Sequence, residues 1–412
     1  MSLTLRASLP DRQTLLQLAD WLALGVVLSL PWSTTATGIL IALWLLAFLP
    51  AITVQALREE LATAAGGLPV LLWLFAAVGM FWAGVSWAER LDGLDGFHRL
   101  LVIPLLLAQF RRSERGALVL YGFLFSATCL LVLSWAFVLL GVTIYAKSFG
   151  VPVKNQIFQC AVFLVCAFAL IGAAFDLWRA QQRRMAAALG VLAALFLADI
   201  AFVATSRTAL VVAPVLVVAL GYRQLGGKGV VAAALIAAVL GGLIWSTSPY
   251  LRERVMHSVE DLRAYMTSDT VTSTAQHLEF LKKSWKIVTD APLIGHGTGS
   301  IADEFRRVKV GETGIAAQAP GNPHNQFFAV AIQLGLLGGA VLLAMWTAHF
   351  MLFRGGSLVA WIGAIMVLQN VASSLFNSHL FDFTEGWFYV FGVGVAGGMM
   401  LNKQPGLALL RR

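Results

Sequence analysis

Long apolar runs separated by short polar segments account for most of this sequence. A helix needs roughly 20 apolar residues to cross a bilayer, and most of the runs approach that length. We therefore predict an all-α integral membrane protein with about twelve spans. The predicted spans are residues 14–30, 34–52, 68–88, 97–110, 116–140, 155–175, 185–204, 207–222, 228–246, 325–353, 356–377 and 385–402.

The composition agrees with a membrane protein and excludes a soluble one. Hydrophobic residues make up 59% of the chain and charged residues 12%, whereas soluble domains contain about 25% charged residues. So few charges could not cover the surface of a soluble chain of 412 residues. The net charge of +8 would suit a nucleic-acid-binding protein, but the positions of the basic residues give it another meaning.

Basic residues concentrate in alternate connections, which predicts the orientation of the chain in the membrane. Cytoplasmic loops carry the excess of Lys and Arg, so both termini are predicted to be cytoplasmic and no nucleic-acid partner is expected. The short loops of the opposite side carry only Arg90, Lys147, Lys154 and Arg207. The basic residues of the predicted cytoplasmic side are Arg6, Arg12, Arg58, Arg111, Arg112, Arg115, Arg179, Arg183, Arg184, Arg223, Lys228, Arg354, Lys403, Arg411 and Arg412.

One long polar segment divides the chain into three parts. Residues 1–246 hold spans one to nine, 247–323 form a large periplasmic loop, and 324–412 hold spans ten to twelve and a cytoplasmic tail. Ser248-Pro249 is typical of a helix start. A second loop helix is predicted to be capped by Thr274, and both helices are amphipathic.

Three short motifs lie in or beside this loop. They are Ser206-Arg207-Thr208-Ala209-Leu210, Pro292-Leu293-Ile294-Gly295-His296-Gly297, and Pro323-His324-Asn325-Gln326 followed by Gln333-Leu334-Gly335-Leu336-Leu337-Gly338. In this order and topology they resemble the O-antigen ligase family of bacterial inner membranes. The resemblance implies a glycosyltransferase-C-like bundle. It also implies transfer of a glycan from undecaprenyl pyrophosphate to a sugar hydroxyl of lipid A–core, with inversion and without a metal or other cofactor.

The residues themselves suit this chemistry. Arg207 is always charged and presents a fork of donors that matches phosphate oxygens. His324 is the candidate general base, since a neutral imidazole accepts a proton near pH 7. Ser206 and Asn325 are possible supporting residues beside them.

The donor's second phosphate calls for another cation. Candidates are Arg252, Arg254, Arg263, Arg306 and Arg307. We choose Arg254 because it lies off the apolar stripe of the first loop helix and near the predicted membrane surface. Many family members have arginine before a Leu-Glu pair at the start of the second loop helix. This chain has His277-Leu278-Glu279 there, so His277 is a further supporting candidate.

Several alternatives remain open. An O-antigen polymerase or a protein O-oligosaccharyltransferase would use the same chemistry on another acceptor. A transporter would need ionisable or polar residues along the mid-membrane, for which Asp199, Gln369 and Asn370 are the candidates. The first predicted periplasmic loop, Pro31–Thr35, lacks the Asp-x-Asp pair of metal-dependent enzymes, so no metal is expected.

Overall fold

The computed structural model of the protein describes residues 11–142, 150–204, 206–267, 272–312 and 317–402, and this part of the chain is helical without strands. A 3₁₀ turn, Arg99–Leu101, precedes α6. The helices are α1 Arg12–Ser29, α2 Thr34–Phe48, α3 Val54–Leu61, α4 Ala64–Gly79, α5 Trp87–His98, α6 Val102–Phe110, α7 Gly116–Leu140, α8 Gln156–Arg179, α9 Arg183–Phe202, α10 Arg207–Thr247, α11 Pro249–Thr267, α12 Ser273–Asp290, α13 Ile301–Val308, α14 Gln326–Leu352, α15 Leu358–Ser373 and α16 Phe383–Leu401.

Five of these helices, α7, α8, α9, α10 and α14, are long and apolar enough to cross a membrane. The bent pair α3 and α4, with an angle of 89° between the two helices, raises the number to six if it forms one span. Helices α2 and α15 are apolar but shorter. The all-helical class is thus confirmed for the described residues, whereas the count of twelve spans and the glycosyltransferase-C-like arrangement stay predictions.

Helix α10 is a hairpin of two helical arms. Gly226 has a φ of +61° and interrupts the helical backbone between them. A Cβ placed on Gly221 would lie 2.3 Å from the carbonyl oxygen of Gly229. Eight residues of straight helix would separate these positions by about 12 Å, so the chain must fold back at the break. The two arms agree with the predicted spans 207–222 and 228–246.

Helix α14 is broken at Gly335, where φ is +64°, so the predicted span 325–353 consists of two helical segments. The break exposes backbone groups that bond to the glycine-rich segment after α12. The Leu336 amide donates to the Pro292 carbonyl at 2.7 Å, and the Gly297 amide donates to the Gln333 carbonyl at 2.8 Å. Two of the motifs singled out in the sequence are therefore joined to each other by backbone hydrogen bonds.

The glycines of this junction are required by close backbone packing. A Cβ on Gly335 would lie 2.2 Å from the Leu293 carbonyl oxygen, and one on Gly299 would lie 2.3 Å from the Glu89 carbonyl oxygen. The segment 292–299 is thus held between α14 and the start of α5. It fixes the end of α12 relative to the bundle.

Replacing Gly297 with alanine should destabilise the protein by about 1–3 kcal/mol, because its φ of +92° is unfavourable for a side chain. The added Cβ would also lie 2.4 Å from the Ala83 Cα. Thermal unfolding in detergent measures the effect. Gly84→Ala is the matched control, since a Cβ on Gly84 meets nothing within 4 Å. Equal melting temperatures for the two variants would contradict this account of the junction.

A second, smaller core ties the loop helices to α14. It is formed by buried residues of α12, α13 and the first segment of α14, separately from the main core of the bundle. The loop helices are therefore docked on the bundle, and the docking sets where their polar side chains lie. The buried members of this core are Phe280, Ile287, Val288, Phe305, Ala331 and Ile332.

Candidate active site

Helix α12 is at the centre of the candidate site. It begins at Ser273, and the Thr272 hydroxyl accepts a hydrogen bond from the Ala275 amide at 3.3 Å. The prediction that Thr274 caps this helix was therefore wrong by two residues. Thr274 instead turns its hydroxyl to neighbouring helices, which makes it a contact residue of the site.

Arg207, the first residue of α10, contacts both α11 and α12. Its guanidinium donates to Asp261 Oδ2 at 3.0 Å and to Thr274 Oγ1 at 3.2 Å. Thr274 Oγ1 also lies 3.2 Å from Asp261 Oδ2, so the three side chains form one cluster. The Arg207 side chain keeps 33% of its surface exposed, which leaves it accessible to a ligand.

His324 lies against α12, one turn along from that cluster. Its ring is edge-on to the ring of His277, with 4.9 Å between centroids, and stacks on Phe280 at 5.9 Å. Its amide donates to Asn322 Oδ1 at 2.8 Å, and its Nδ1 lies 3.1 Å from Asn377 Oδ1. The backbone of His324 has a φ of +52°, which is uncommon for a residue other than glycine. The imidazole is thus held firmly on three sides.

His277 is the residue that connects the two halves of the site. Burial, together with positive charge on His324 and Arg207, lowers its pKa to about 4. The residue is therefore neutral at pH 7. A histidine here does not supply the positive charge that an arginine would.

Three helix N-termini meet at this place. Arg207 opens α10, Thr274 lies in the first turn of α12, and His324 precedes α14 by two residues. The N-terminus of a helix carries a partial positive charge and amides without intrahelical partners, which favours bound anions. The arrangement would favour an anion bound beside one arginine and two histidines.

The segment that builds this site also has a recognisable sequence relationship. Residues 192–343 match the family model described as O-antigen ligase. Over this segment the chain is similar to the O-antigen ligase family. None of the curated proteins matches the chain. The matched residues include Arg207, the loop helices, His277, His324 and the broken start of α14.

The similarity of residues 192–343 to the O-antigen ligase family indicates a general function. It indicates a glycosyltransferase-like enzyme of the ligase or polymerase kind, with a lipid-linked glycan and a lipid-anchored acceptor as substrates. The apolar helices agree with a multi-pass protein of the inner membrane.

The structure does not test Arg254 as the predicted second cation. The side chain of Arg254 lies outside the described residues. Arg306 pairs with Asp303 and Glu89, and Arg307 pairs with Asp290 and Glu304. Both arginines of α13 are therefore committed to carboxylates. Arg252 and Arg263 are exposed on α11.

Ser206 and Asn325 act as helix caps in the structure. The Ser206 hydroxyl accepts from the Ala209 amide at 3.1 Å, and Asn325 Oδ1 accepts from the Phe328 amide at 3.1 Å. Each cap fixes the start of the helix next to a predicted site residue. They hold Arg207 and His324 in place through the backbone.

Ligand-type side chains for a metal come together at one place in the described part of this O-antigen ligase homologue. One nitrogen or carboxylate oxygen from each of His379, Asp382 and Glu385 lies within 4.8 Å of the others. Burial lowers the pKa of Lys154, and the nearby charge of Glu385 partly opposes this, so that the pKa is about 8. Arg99 donates to the Asp382 carbonyl. These two cations already offset the carboxylates.

Sequence reasoning missed three site residues of this homologue: Asp261, Phe280 and Asn377. Asp261 sits among other charged residues of α11, and no motif distinguishes it. Phe280 reads as part of an apolar helix face. Asn377 lies in a polar run, Asn377-Ser378-His379, between two apolar helices. That run could have been noticed as a polar connection on the side of the large loop.

Asp199, the main polar candidate for a transporter, has a structural role in the protein. It is fully buried, and its carboxyl group contacts Ser134 Oγ at 2.5 Å and Gln159 Nε2 at 3.1 Å. These contacts close the group off within the protein. They give no support to a transport pathway.

Proposed function

We propose that this protein transfers an O-antigen glycan from undecaprenyl pyrophosphate to a sugar hydroxyl of lipid A–core. The observation that carries the proposal is that Arg207 and His324 both contact α12, at positions one helical turn apart. A fixed cation and a candidate base lie at the same end of a bundle of apolar helices. A lipid-linked pyrophosphate and a sugar hydroxyl need this pair of groups.

Arg207 would bind the pyrophosphate of the donor. Its guanidinium matches phosphate oxygens, and the N-termini of α10 and α12 add partial positive charge. Asp261 occupies part of the guanidinium in the structure. Donor phosphate would therefore share Arg207 with Asp261 or displace it. Arg254 remains a proposed second phosphate ligand.

His324 would take the proton of the acceptor hydroxyl at Nε2. The hydroxyl oxygen then bonds to the anomeric carbon from the face opposite the pyrophosphate. The bond from that carbon to the donor oxygen breaks, and undecaprenyl pyrophosphate leaves with the electron pair. One displacement of this kind inverts the anomeric centre. His277 and Asn325 support the base, and no metal or other cofactor is required in this scheme.

The Asp261→Asn variant tests the proposed role of Arg207 from the side of its partner. Asparagine keeps an oxygen for the hydrogen bond but removes the negative charge. Because a partly exposed ion pair is worth about 0.2–1 kcal/mol, the donor should bind about 1.4- to fivefold more tightly. Donor affinity is measured by competition in detergent. Weaker donor binding with unchanged thermal stability would contradict the assignment.

The acceptor distinguishes a ligase from a polymerase. Purified protein in proteoliposomes should be given lipid-linked glycan with or without lipid A–core. A ligase attaches the glycan to lipid A–core and forms no product when this acceptor is omitted. Longer lipid-linked chains formed without lipid A–core would identify a polymerase instead.

We further propose that the site faces the periplasm, with both termini in the cytoplasm and membrane lipids around the bundle. Thr289 is exposed at the end of α12. A Thr289→Cys variant should react with a membrane-impermeant thiol reagent in intact spheroplasts, and the parent chain is the control. Labelling of this variant only after lysis would reverse the orientation.

A further inference from the structure

The connection between α15 and α16 is locked to the segment that carries His324. The Gln326 amide donates to the Ser374 carbonyl at 2.9 Å, and the Leu380 amide donates to Gln326 Oε1 at 2.8 Å. The Ser378 hydroxyl donates to Asn322 Oδ1 at 2.8 Å. These contacts tie residues far apart in sequence into one rigid unit. Asn377 and Asp382 belong to that unit.

Hydrogen-bond geometry fixes the orientation of the Asn377 amide. Its Nδ2 lies 2.9 Å from Asp382 Oδ2. An ionised carboxylate only accepts hydrogen bonds, so the amide nitrogen of Asn377 must face it. The amide oxygen then faces His324 Nδ1 at 3.1 Å. That oxygen can only accept, so Nδ1 must carry a proton.

We infer that Asn377 and Asp382 are positioning residues that hold His324 in the tautomer with a proton-free Nε2. This inference rests on the proposed function, in which Nε2 takes the acceptor's proton. The free lone pair is then on the nitrogen that Asn377 does not contact. Without this constraint, a neutral imidazole could place its proton on either nitrogen.

The position of Asp382 is itself fixed by contacts with Arg99 and His379. Arg99, which is 6% exposed, donates to the Asp382 backbone carbonyl. His379 Nδ1 lies 3.2 Å from the carboxylate oxygen that Asn377 contacts. The hydrogen-bonded series His324–Asn377–Asp382 is therefore anchored, through the Asp382 backbone, to a buried arginine. Within this series, His324 contacts α12 through the rings of His277 and Phe280.

The asparagine between His324 and Asp382 orients the imidazole without placing a carboxylate directly against it. A carboxylate in direct contact with an imidazole favours the protonated ring, which cannot act as a base. Asn377 separates the Asp382 carboxylate from the imidazole by one side chain. The carboxylate still polarises the Asn377 amide, which stabilises the ring when it gains a proton. His277 from α12 and, beyond it, Arg207 face the His324 side of this series. His379, Glu385 and Arg99 lie around Asp382 at its other end.

Asn377→Ala should lower the rate constant of single-turnover transfer about 10- to 10²-fold, as expected when one hydrogen bond to a developing imidazolium is lost. Donor affinity should stay within about twofold, since Arg207 is not involved. Ser374→Ala is the matched control: it lies in the same connection, and its buried hydroxyl has no hydrogen-bond partner among the described residues. An Asn377→Ala rate equal to that of Ser374→Ala would overturn the inference.

A double exchange, Asn377→Asp with Asp382→Asn, restores a donor and an acceptor in swapped places. It should recover most of the rate lost in Asn377→Ala. In the double variant the fall in transfer rate at acidic pH should also begin at a higher pH, because a carboxylate would now contact His324 directly. A double variant as slow as Asn377→Ala, with this fall in rate at an unchanged pH, would contradict a positioning role.

The ¹⁵N signals of His324 report the tautomer without any turnover. Wild-type protein should show a protonated Nδ1 and an unprotonated Nε2, and Asn377→Ala should show a mixture. A protonated Nε2 in the neutral wild-type ring would overturn the inference. This measurement needs no substrate, so it tests the inference separately from the proposed transfer reaction. If the transfer reaction is wrong, wild-type protein makes no product, whatever the tautomer of His324.

Discussion

His324→Ala should slow single-turnover transfer about 10²–10⁴-fold, equivalent to about 2.7–5.5 kcal/mol of transition-state stabilisation. The reason is the loss of the group that takes the acceptor's proton. Donor affinity should change little, because Arg207 contacts Asp261 and Thr274 rather than His324. Quenched single-turnover reactions and donor competition measure the two quantities separately.

The control for this variant is His257→Ala, since His257 lies on α11 with 65% of its side chain exposed. It should keep the wild-type rate. If His324→Ala weakens donor binding as much as it slows transfer, His324 binds the phosphates and another residue is the base. His277 would then be the first alternative, although its lowered pKa of about 4 makes it a poor proton acceptor at pH 7.

Arg207→Lys should reduce transfer about 10²-fold or more, although the charge is kept. Lysine is a point charge and cannot form the paired hydrogen bonds that a guanidinium makes with phosphate oxygens. It also cannot reach Asp261 and Thr274 with two donors in a fixed geometry. The loss should appear mainly in donor affinity, as measured by competition, with thermal stability close to that of the wild type.

Arg306→Lys provides the comparison for this substitution. Arg306 is exposed at 52% and pairs with carboxylates of α13 and α5, so its replacement should leave donor affinity unchanged. If Arg207→Lys transfers glycan at the wild-type rate, Arg207 has only a structural role, in which it joins α10 to α11 and α12.

Helices were predictable from the sequence where one physical signal dominates. The apolar run 116–140 coincides with α7, because lipid-facing and core-facing residues are both apolar there. Ser248-Pro249 starts α11 as expected. Helix α13, with its charged residues paired across one turn, was missed because it lacks a long apolar stripe.

Features that depend on distant residues could not be predicted. The break of α14 at Gly335 is stabilised by backbone groups of Leu293 and Pro292, some 40 residues earlier in the chain. The glycines were visible as turn signals, but their partners were not. A local pattern cannot show which backbone a glycine will approach.

The candidate site divides in the same way. Arg207 and His324 could be chosen from motifs because their residue types match phosphate and proton chemistry. Their surroundings come from tertiary contacts: Asp261 on α11 and Asn377 between α15 and α16 carry no local signal of proximity to either residue. The choice of Arg254 was made on helical spacing alone, and it stays a prediction.

The central claim is a metal-free transfer in which His324 accepts the acceptor's proton. The most direct measurement is single-turnover transfer to lipid A–core by purified protein in excess EDTA, with wild type and His324→Ala compared. The account predicts that the wild type transfers glycan at the same rate with and without EDTA, while His324→Ala is slower by about 10²-fold or more. Loss of wild-type transfer in EDTA that Mg²⁺ restores, or equal rates for the two proteins, would contradict it.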